Sequence, residues 1–360
     1  MQGKSPKYKL GIVGCGSISR IHAHAIRSNE RAVLASAHSR TEDSRNAFCE
    51  EFAITGFSGY SDFLASDVDI VVLCTPNGTH LDYGMQAADA GKHLIIEKPL
   101  EVTVERGKQL VDHCKLRGVK LAVIYQNRFI DNVRKMKQAL DDGAIGKVVM
   151  VRASIKWFRD QDYYKSRPWR GSLSLDGGGA LINQSIHTVD LMLWLAGPVA
   201  SVQAYKGTLT HDGMEGEDNF VASMQFKSGA LGVLEASTSI VPSQNRVIEI
   251  HGTGGTAILN GDNLRILESG DSVSSDGAGN TDDAPASGGS SGPLAGFSNS
   301  HHTEQYRQIF LHLDAGLQPP VSGHESLKSL AFVQAAYRSA EQQAAVSPDR
   351  FFPYTSLEGE

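Results

Sequence analysis

The 360-residue sequence is poor in the features that mark membrane, secreted and metal-binding proteins. It has no apolar run near the roughly 18 residues that a membrane helix needs, and its first residues lack the apolar core of a secretion signal. The four cysteines form no C-x-x-C pair, and no histidines follow them at zinc-like spacings. The 34 basic and 40 acidic residues give a net charge of -6, too small an excess to favour nucleic acid or anionic lipid. We therefore expect a reduced cytoplasmic protein without a metal site, a membrane segment or a nucleic-acid partner.

The composition and length indicate a globular chain of two domains. Hydrophobic residues make up 41% and charged residues 21%, and 360 residues exceed what one core usually supports. From Tyr8 to about Tyr125, helical patterns alternate with the apolar runs KLGIVG, AVLASAH, DIVVLCT, KHLIIE and VKLAVIY. Such runs indicate a parallel sheet covered on both faces. The sequence thus predicts an α/β fold in which residues 1–126 form a doubly wound Rossmann domain.

The rest of the sequence, residues 127–360, predicts an α+β domain with an open, mostly antiparallel sheet. Its strand-like runs, such as VVMVRASIKW, NFVASMQF and RVIEIHG, alternate or carry β-branched residues, which is typical of a sheet with one wetter face. A helical pattern runs from Ala180 to Leu195. Residues from about 268 to 300 are rich in Ser, Gly, Asp and Asn and predict a flexible loop, after which helical periodicity returns over 304–342.

A glycine-rich turn follows the first predicted strand, in the segment GIVGCGSIS at residues 11–19. Gly14 allows a tight turn, and Gly16 lets backbone N–H groups approach a pyrophosphate. The helix that begins near Ser17 and Ile18 presents its positive N-terminal end to the same anion. We expect these four residues to bind a dinucleotide, although a glycine-rich turn without a ligand has the same local pattern.

The end of the second strand indicates which dinucleotide binds. About twenty residues after the last glycine, NAD enzymes carry an Asp or Glu for the ribose hydroxyl. This sequence has Ser39 and Arg40 there. With no carboxylate to repel a 2′-phosphate and a guanidinium to hold it, NADP is favoured over NAD. The alternative is that Arg40 points to solvent, which leaves NAD, or the use of both cofactors, open.

Two more strands of the parallel sheet end in polar segments, CTPN with a nearby histidine and then EKP. The cofactor contacts expected at these strand ends are Thr75, Pro76, Asn77, His80, Glu97 and Lys98. Because ligands of such sheets lie beyond the carboxyl ends of the strands, Lys98 should project towards the cofactor. A lysine there can stabilise a developing alkoxide or take part in proton transfer. An exposed, ion-paired lysine is the ordinary alternative.

The segment LDGGGALINQSIHTVD, residues 175–190, joins a glycine triplet to a helical pattern. The glycines allow a close approach of the backbone, and the helix places Asn183 and His187 on one face at i and i+4. Histidine titrates near neutral pH, so His187 can take the proton of a secondary alcohol in oxidation and return it in reduction. A packed helical histidine is the ordinary alternative, and the presence of Lys98 favours the catalytic interpretation.

With E-K-P at 97–99 and G-G-G-x-x-x-N-x-x-x-H at 177–187, the chain resembles the Gfo/Idh/MocA family, the glucose–fructose oxidoreductase and inositol dehydrogenase group. The resemblance covers nearly the whole chain and includes HGTGGT at 251–256. It implies a Rossmann domain, a C-terminal domain whose open sheet joins the subunits of a homodimer or homotetramer, and chemistry at ring hydroxyls of sugars and cyclitols. It also implies that Lys98 and His187 are the catalytic lysine and histidine.

One position departs from the family's pattern. Many members have an aspartate four residues before the histidine, where this chain has Asn183. Because an amide cannot hold negative charge, we expect Asn183 to hydrogen-bond a substrate hydroxyl rather than to relay a proton. The Asn-Gln pair resembles that of members that act at C3 of hexopyranosides or on nucleotide sugars.

Further pocket residues follow from their positions in the sequence. Gln126 and Arg128 come just after the last parallel strand, and we assign Gln126 to the cofactor and Arg128 to the substrate. The pocket candidates before the glycine triplet are Tyr163, Tyr164, Trp169 and Arg170. Such side chains suit stacking on sugar faces and hydrogen bonding to hydroxyls or a carboxylate. Tyr163 is assigned to the substrate, and Trp169 and Arg170 to the cofactor; the alternative is a packed loop with Trp169 in the core.

The sequence therefore predicts an oxidoreductase in which His187 removes a ring hydroxyl proton, Lys98 stabilises the alkoxide and the carbinol hydride passes to nicotinamide. The expected substrate contacts are Lys98, Arg128, Tyr163, Asn183 and His187. Two alternatives stay open: a non-catalytic NAD(P)-binding sensor, and an enzyme that holds nicotinamide tightly and oxidises transiently during glycoside cleavage or epimerisation. Cofactor that co-purifies and survives dialysis would favour the second of these.

Overall fold

The computed structural model describes residues 8–268 and 299–354. The chain divides into two compact units. The first unit comprises Met1–Phe129, Ser174–Gly177 and Ser290–Leu330, and the second comprises Ile130–Leu173, Gly178–Gly289 and Ala331–Glu360. The loop predicted at about 268–300 lies, except for residues 268, 299 and 300, outside the described residues.

The helices of the described residues, in chain order, are α1 (Ser17–Arg27), α2 (Glu42–Phe52), α3 (Tyr60–Ala65), α4 (His80–Asp89), α5 (Val104–Arg117), α6 (Asp131–Asp141), α7 (Gln161–Lys165), α8 (Ile186–Ala196), α9 (Ser300–Asp314) and α10 (Gly323–Gln342). The strands are β1 (Tyr8–Val13), β2 (Ala32–His38), β3 (Thr55–Phe57), β4 (Ile70–Leu73), β5 (His93–Ile96), β6 (Leu121–Val123), β7 (Val148–Lys156), β8 (Val199–Gly207), β9 (Asn219–Phe226), β10 (Leu231–Ser237), β11 (Val247–Gly252), β12 (Gly255–Asn260) and β13 (Asn263–Glu268).

The first unit contains a six-stranded sheet in the order β3-β2-β1-β4-β5-β6, with every neighbouring pair parallel. Leu10 and Ile12 of β1 and all four residues of β4 are buried. A strand covered on both faces has no wet side, which is why these strands are continuous apolar runs in the sequence. The strand order is that of dinucleotide-binding doubly wound sheets, and the predicted Rossmann fold is confirmed.

Helix α9, from the end of the chain, belongs to the first unit. Its residues Tyr306, Ile309 and Phe310 lie in the same buried core as Leu10 and Ile12 of β1. The first segment of this unit ends at Phe129, close to the boundary expected at residue 126, but residues 299–330 also belong to the unit, although the sequence assigns them to the second domain. The difference arises because an amphipathic pattern shows that a helix is buried without showing which core it joins.

The second unit contains a seven-stranded sheet in the order β13-β12-β11-β7-β10-β9-β8. The β7 and β10 strands pair in parallel, and the other neighbouring pairs are antiparallel. Buried and exposed residues alternate along β9, because helix α8 and its neighbours cover only one face of the sheet. The open, mostly antiparallel sheet expected from the sequence is therefore confirmed.

The helix predicted from Ala180 to Leu195 is not a continuous α-helix. Its first residues, Ala180–Gln184, form a π-helical turn, in which the Ser185 N–H donates to the Ala180 oxygen at 3.0 Å. The Ser185 hydroxyl donates to the same oxygen at 2.8 Å, which helps to hold the wider turn. Helix α8 follows from Ile186. Turns of this kind are frequent at functional sites, and this one carries Asn183.

Candidate active site

The glycine turn after β1 has the geometry that a dinucleotide needs. Gly14 has a φ of 93°, and a Cβ there would lie 2.7 Å from the Cys74 carbonyl oxygen, so a side chain is excluded. At Gly16 a Cβ would meet nothing within 4 Å, which leaves the backbone open to a ligand. Helix α1 begins at Ser17 with no side-chain cap and no acidic residue in its first turn. Its first N–H groups therefore suit a phosphate group.

The residues expected to bind the adenosine ribose follow β2. Ser39 and Arg40 come directly after the strand, and Arg40 is exposed. The Ser39 carbonyl accepts a hydrogen bond from Arg45 Nη1 at 3.2 Å, which brings a second guanidinium to this strand end. Neither strand-end position carries a carboxylate, so Arg40 suits a 2′-phosphate, with Arg45 beside it also lying 4.0 Å from Glu42 Oε1.

The segment after β4 is held by its own side chains. Asn77 donates from Nδ2 to the backbone oxygen of Asp176 at 2.9 Å and to its carboxylate at 3.0 Å. His80 is fully buried, with Nε2 3.1 Å from the Thr75 oxygen and Nδ1 3.1 Å from the Leu100 oxygen. Burial lowers the pKa of His80 despite these carbonyls. His80 thus joins the segment after β4 to the segment after β5, and its ring is engaged by the backbone.

Lys98 follows β5 and is buried next to a carboxylate that fixes its backbone. Its N–H donates to Glu97 Oε2 at 3.1 Å, while Glu97 Oε1 lies 2.7 Å from His22 Nε2. Burial opposes the ionisation of Glu97, but the hydrogen bond and charge of His22, with the charge of Lys98, lower its pKa to about 2. Glu97 is therefore an ionised carboxylate inside the first unit, anchored on one side by His22 and on the other by Lys98.

The residues around Glu97 form a buried cluster that no motif in the sequence indicates. His22 Nδ1 lies 2.8 Å from the Tyr306 hydroxyl, and the ring of His302 makes an edge contact with that of His22. Burial raises the pKa of Tyr306 well above its usual value, and burial and the charge of His22 lower that of His302 to about 3. The ligand atoms of His22, Glu97 and His302 lie within 4.8 Å of one another. Both nitrogens of His22 are at hydrogen-bonding distance, one from Glu97 and the other from the Tyr306 hydroxyl.

Gln126 and Arg128 lie on a 3₁₀ turn, Gln126–Phe129, directly after the parallel sheet, and both are buried. Arg128 Nη2 lies 3.4 Å from Glu325 Oε1. Burial raises the pKa of Glu325, but Arg128 and Lys328 outweigh it and lower the pKa below its usual value. The charge of Arg128 is therefore matched within the first unit.

In the second unit, the glycine triplet packs against a buried carboxylate residue. A Cβ at Gly179 would lie 1.9 Å from the Glu217 carbonyl oxygen, and one at Gly178 would lie 2.3 Å from the Tyr337 hydroxyl. The Glu217 carboxylate accepts the N–H of Leu181 at 2.7 Å and the hydroxyl of Tyr337 at 2.9 Å. Burial raises the pKa of Glu217. The close approach inferred from the glycines is thus an approach to Glu217 and Tyr337, which hold the start of the π-helical turn.

Asn183 and His187 are buried in the second unit, Asn183 on the π-helical turn and His187 in the first turn of α8. The Asn183 Oδ1 accepts a hydrogen bond from Gln184 Nε2 at 2.9 Å. The same Gln184 nitrogen donates to the Tyr163 hydroxyl at 3.0 Å. The structure therefore brings together Asn183 and Tyr163, two of the residues assigned to the substrate, through Gln184.

The other pocket candidates divide into two groups. Arg170 lies over the Tyr163 ring, with its guanidinium carbon 3.9 Å from the ring centre, and 5.7 Å from the ring centre of Trp169. Tyr164 is buried and its hydroxyl lies 2.9 Å from Thr238 Oγ1, as expected of a packing residue. Trp169 is half-buried. Arg170, which the sequence assigns to the cofactor, thus stacks on Tyr163, which it assigns to the substrate, and Trp169 contacts Arg170.

A doubly wound parallel sheet whose first strand ends in an open glycine turn, followed by an uncapped helix, defines a class, the dinucleotide-binding Rossmann proteins. Residues 8–125 match the model of the oxidoreductase family with an NAD-binding Rossmann fold, and residues 133–258 match the GFO/IDH/MocA C-terminal domain. The chain belongs to the Gfo/Idh/MocA family of NAD(P)-dependent oxidoreductases, so the resemblance seen in its motifs is confirmed. Among the described residues, none of the helices has the length and apolar character to span a membrane.

Relatives cover nearly the whole chain. It is similar to the WlbA dehydrogenase from Bordetella pertussis, solved in complex with NADH and UDP-GlcNAcA, with 33% identity, a TM-score of 0.83 and coverage of 95% of this chain and 98% of that one. It is 28% identical to inositol 2-dehydrogenase of Rhizobium meliloti, over 94% of this chain and 98% of the relative. It is 24% identical to the NADP(+)-dependent scyllo-inositol 2-dehydrogenase IolW of Bacillus subtilis, over 94% and 95% of the two chains. Both forms of the nicotinamide cofactor thus occur among its relatives.

Proposed function

We propose that this protein transfers a hydride between NAD(P) and a ring hydroxyl of a sugar, a sugar derivative or a cyclitol, with Lys98 and His187 as catalytic residues. The observation that carries the proposal is the fixation of Lys98 directly after β5, where its N–H is bonded to the ionised Glu97. In a doubly wound sheet, this strand end faces the bound dinucleotide. The family membership supports the same reaction class.

The proposed role of each residue follows from the chemistry of its side chain. The bound nicotinamide accepts or donates the hydride. Lys98 supplies a positive charge that lowers the energy of the alkoxide formed as the hydroxyl proton leaves. His187 takes that proton during oxidation and returns it during reduction. Asn183, whose Oδ1 is held by Gln184, binds a substrate hydroxyl and carries no proton, because an amide does not titrate in this range.

The cofactor is held mainly by the first unit in this proposal, and NADP is favoured over NAD. Gly14 and Gly16 place the backbone against the pyrophosphate, and Arg40 with Arg45 binds the 2′-phosphate. His80 holds the loop that lines the nicotinamide end. The remaining residues assigned to the cofactor are Ser17, Ile18, Ser39, Thr75, Pro76, Asn77, Glu97, Lys98, Gln126, Trp169 and Arg170.

We propose a hexopyranoside or a nucleotide sugar as the substrate. The Asn183-Gln184 pair supports this choice, as does the similarity to WlbA, which was solved with a nucleotide sugar. The test is a panel of hexoses, uronates, inositols and nucleotide sugars, each offered with NAD and with NADP while the absorbance of reduced nicotinamide is followed. Reduction with a pyranose substrate supports the proposal. Cofactor binding without turnover of any member would contradict it.

We further propose a homodimer or homotetramer that forms through the open face of the second unit's sheet. Adjacent strands carry exposed apolar residues on that face: Leu231 pairs with Met150, and Val221 pairs with Tyr205. With Val233, and with the ion pair of Arg152 and Glu235 on the same face, they form a mixed apolar and charged surface on one side of a seven-stranded sheet, which suits a subunit interface. All four cysteines are free, which supports a reducing compartment such as the cytoplasm.

A further inference from the structure

A cationic and aromatic group lies beside Asn183 in the second unit, in the segment of residues 157–172 that follows β7. Two guanidinium groups contact the ring of Tyr163: the carbon of Arg170 is 3.9 Å from the ring centre, and that of Arg159 is 5.4 Å from it. Both distances lie within the range of cation–π attraction. With Gln184, these three residues are called the Tyr163 cluster below.

Hydrogen bonds connect the Tyr163 cluster to the proposed substrate residues. Arg159 Nη2 donates to Gln184 Oε1 at 3.1 Å, and Gln184 Nε2 donates to the Tyr163 hydroxyl at 3.0 Å. The same nitrogen donates to Asn183 Oδ1 at 2.9 Å. Asn183 precedes His187 by four residues. A substrate hydroxyl bound at Asn183 is therefore separated from Arg159 by one side chain, Gln184, and from Arg170 by two, Gln184 and Tyr163.

The charge of this segment differs from that of the chain. The whole sequence carries -6, whereas residues 157–172 hold four basic residues and two acidic ones. One of the acidic residues, Asp160, has its carboxylate bonded to the Tyr163 N–H at 2.7 Å, where it caps α7. The local excess is positive, and it lies in a chain that is acidic overall.

Among the described residues, no carboxylate balances the positive charge of Arg170 in the Tyr163 cluster. Arg170 is half-buried, and its Nη1 donates to neutral oxygens, the Tyr163 carbonyl at 2.8 Å and the Ser166 hydroxyl at 2.7 Å. Across residues 8–268 and 299–354, no ion pair joins it to a carboxylate. A half-buried, planar guanidinium held flat on a ring is a ready site for a carboxylate or phosphate.

We propose that the Tyr163 cluster binds an oxyanion carried by the sugar substrate, with Arg170 as the principal contact and Arg159 as the second. The anion is the carboxylate of a sugar acid or the phosphate of a sugar ester, two groups that a guanidinium binds in the same way. This inference rests on the proposed function of Asn183 and His187, and it makes Arg170 a substrate residue instead of a cofactor residue. The enzyme then selects acidic sugars over neutral ones.

The first test compares glucose, glucuronate and glucose 6-phosphate as substrates of the wild-type protein and of Arg170→Met. We expect at least one anionic sugar to exceed glucose by about tenfold or more in kcat/KM, and Arg170→Met to remove most of that advantage, because the value for the anionic sugar should fall by a larger factor than the value for glucose. The control Arg167→Met changes an exposed arginine of the same segment and should leave the ratio unaltered. Equal use of neutral and anionic sugars, or an equal loss on both in Arg170→Met, would overturn the proposal.

The second test does not depend on turnover, so it separates this inference from the proposed reaction. Trp157 and Trp169 lie 5.4 and 5.7 Å from Arg159 and Arg170, so tryptophan fluorescence reports on the cluster. With cofactor bound, saturable quenching by glucuronate or glucose 6-phosphate, weakened by salt and lost in Arg170→Met, supports the site even if no sugar is turned over. The same response to glucose, or no response to either anion, contradicts it.

Discussion

His22 Nε2 lies 2.7 Å from Glu97 Oε1, and this contact joins the helix that follows the glycine turn to the segment that carries Lys98. Both residues are buried, and the second Glu97 oxygen accepts the N–H of Lys98. The helix expected to bind pyrophosphate and the lysine expected to stabilise an alkoxide are thereby fixed to one another within the first unit. A change in either residue should alter both stability and catalysis.

The Glu97 carboxylate should stabilise the fold in a pH-dependent way. Its folded pKa of about 2 lies below its usual 4.5, so its contribution is complete above the usual value and is lost as the pH falls towards 2. Glu97→Gln should lower the free energy of unfolding at neutral pH by on the order of 3 kcal/mol, and its difference from wild type should shrink on acidification. Urea unfolding at several pH values measures this.

A matched control is the more exposed pair of His113 and Asp89, whose side chains are 2.8 Å apart, close to the 2.7 Å between His22 and Glu97. Asp89→Asn should leave the unfolding midpoint almost unchanged, because solvent screens this pair. A constant difference between wild type and Glu97→Gln at every pH would show that the Glu97 effect is one of packing and not of charge.

Gly179→Ala should destabilise the second unit. The added Cβ would lie 1.9 Å from the Glu217 carbonyl oxygen, which is backbone and cannot turn aside. We expect a loss of about 2 kcal/mol or more, with weaker substrate binding because the turn that carries Asn183 must shift. Gly254→Ala, where the nearest atom is 3.5 Å away, is the control. Unfolding and substrate affinity at wild-type values in Gly179→Ala would contradict the packing described above.

Arg40→Ser should separate the two forms of the cofactor. Loss of the guanidinium should weaken NADP binding by about tenfold and leave NAD binding within about twofold, because only NADP carries the 2′-phosphate. Fluorescence titration of reduced cofactors measures both constants. Arg117→Ser, at an exposed arginine of α5, is the control. Equal or tighter binding of NAD by the wild-type protein would overturn the preference.

Leu231→Glu should dissociate the proposed oligomer. Leu231 is exposed in the single chain and pairs with the exposed Met150 of β7. A charge at position 231 would therefore be buried at the proposed interface. Sedimentation velocity should show a smaller species for this variant and an unchanged one for Leu116→Glu, an exposed leucine of α5. A monomeric wild-type protein would rule out this interface.

The sequence predicts most of the fold because its main signals are local. Apolar runs and the glycine turn identify the Rossmann sheet, and alternation identifies the second sheet. The helix at Ala180 departs from the prediction, because a π-helical turn depends on a second bond to one carbonyl and not on periodicity. The sequence also could not predict that α9 packs in the core of the first unit, because an amphipathic pattern does not show which core a helix joins.

Gly16 and Lys98 can be proposed from the sequence because each follows a strand of the parallel sheet, and His187 because a helical pattern places it on one face with Asn183. The supports of the candidate site were not predictable, because His22, Glu97 and Tyr306 are far apart in sequence and meet only in the folded chain. One signal was present: His22 interrupts the apolar positions of α1 among buried residues. A polar residue at such a position needs a partner inside the protein.

Single-turnover reduction of bound NAD(P) by a proven substrate tests most directly whether Lys98 stabilises the alkoxide and His187 transfers the hydroxyl proton. In Lys98→Met and His187→Gln, the cofactor should bind within about threefold of wild type, while the rate of hydride transfer falls by about a hundredfold or more. For His187→Gln, the loss should lessen as the pH rises and the alcohol needs less help to ionise. Wild-type rates of hydride transfer in either variant would contradict the account.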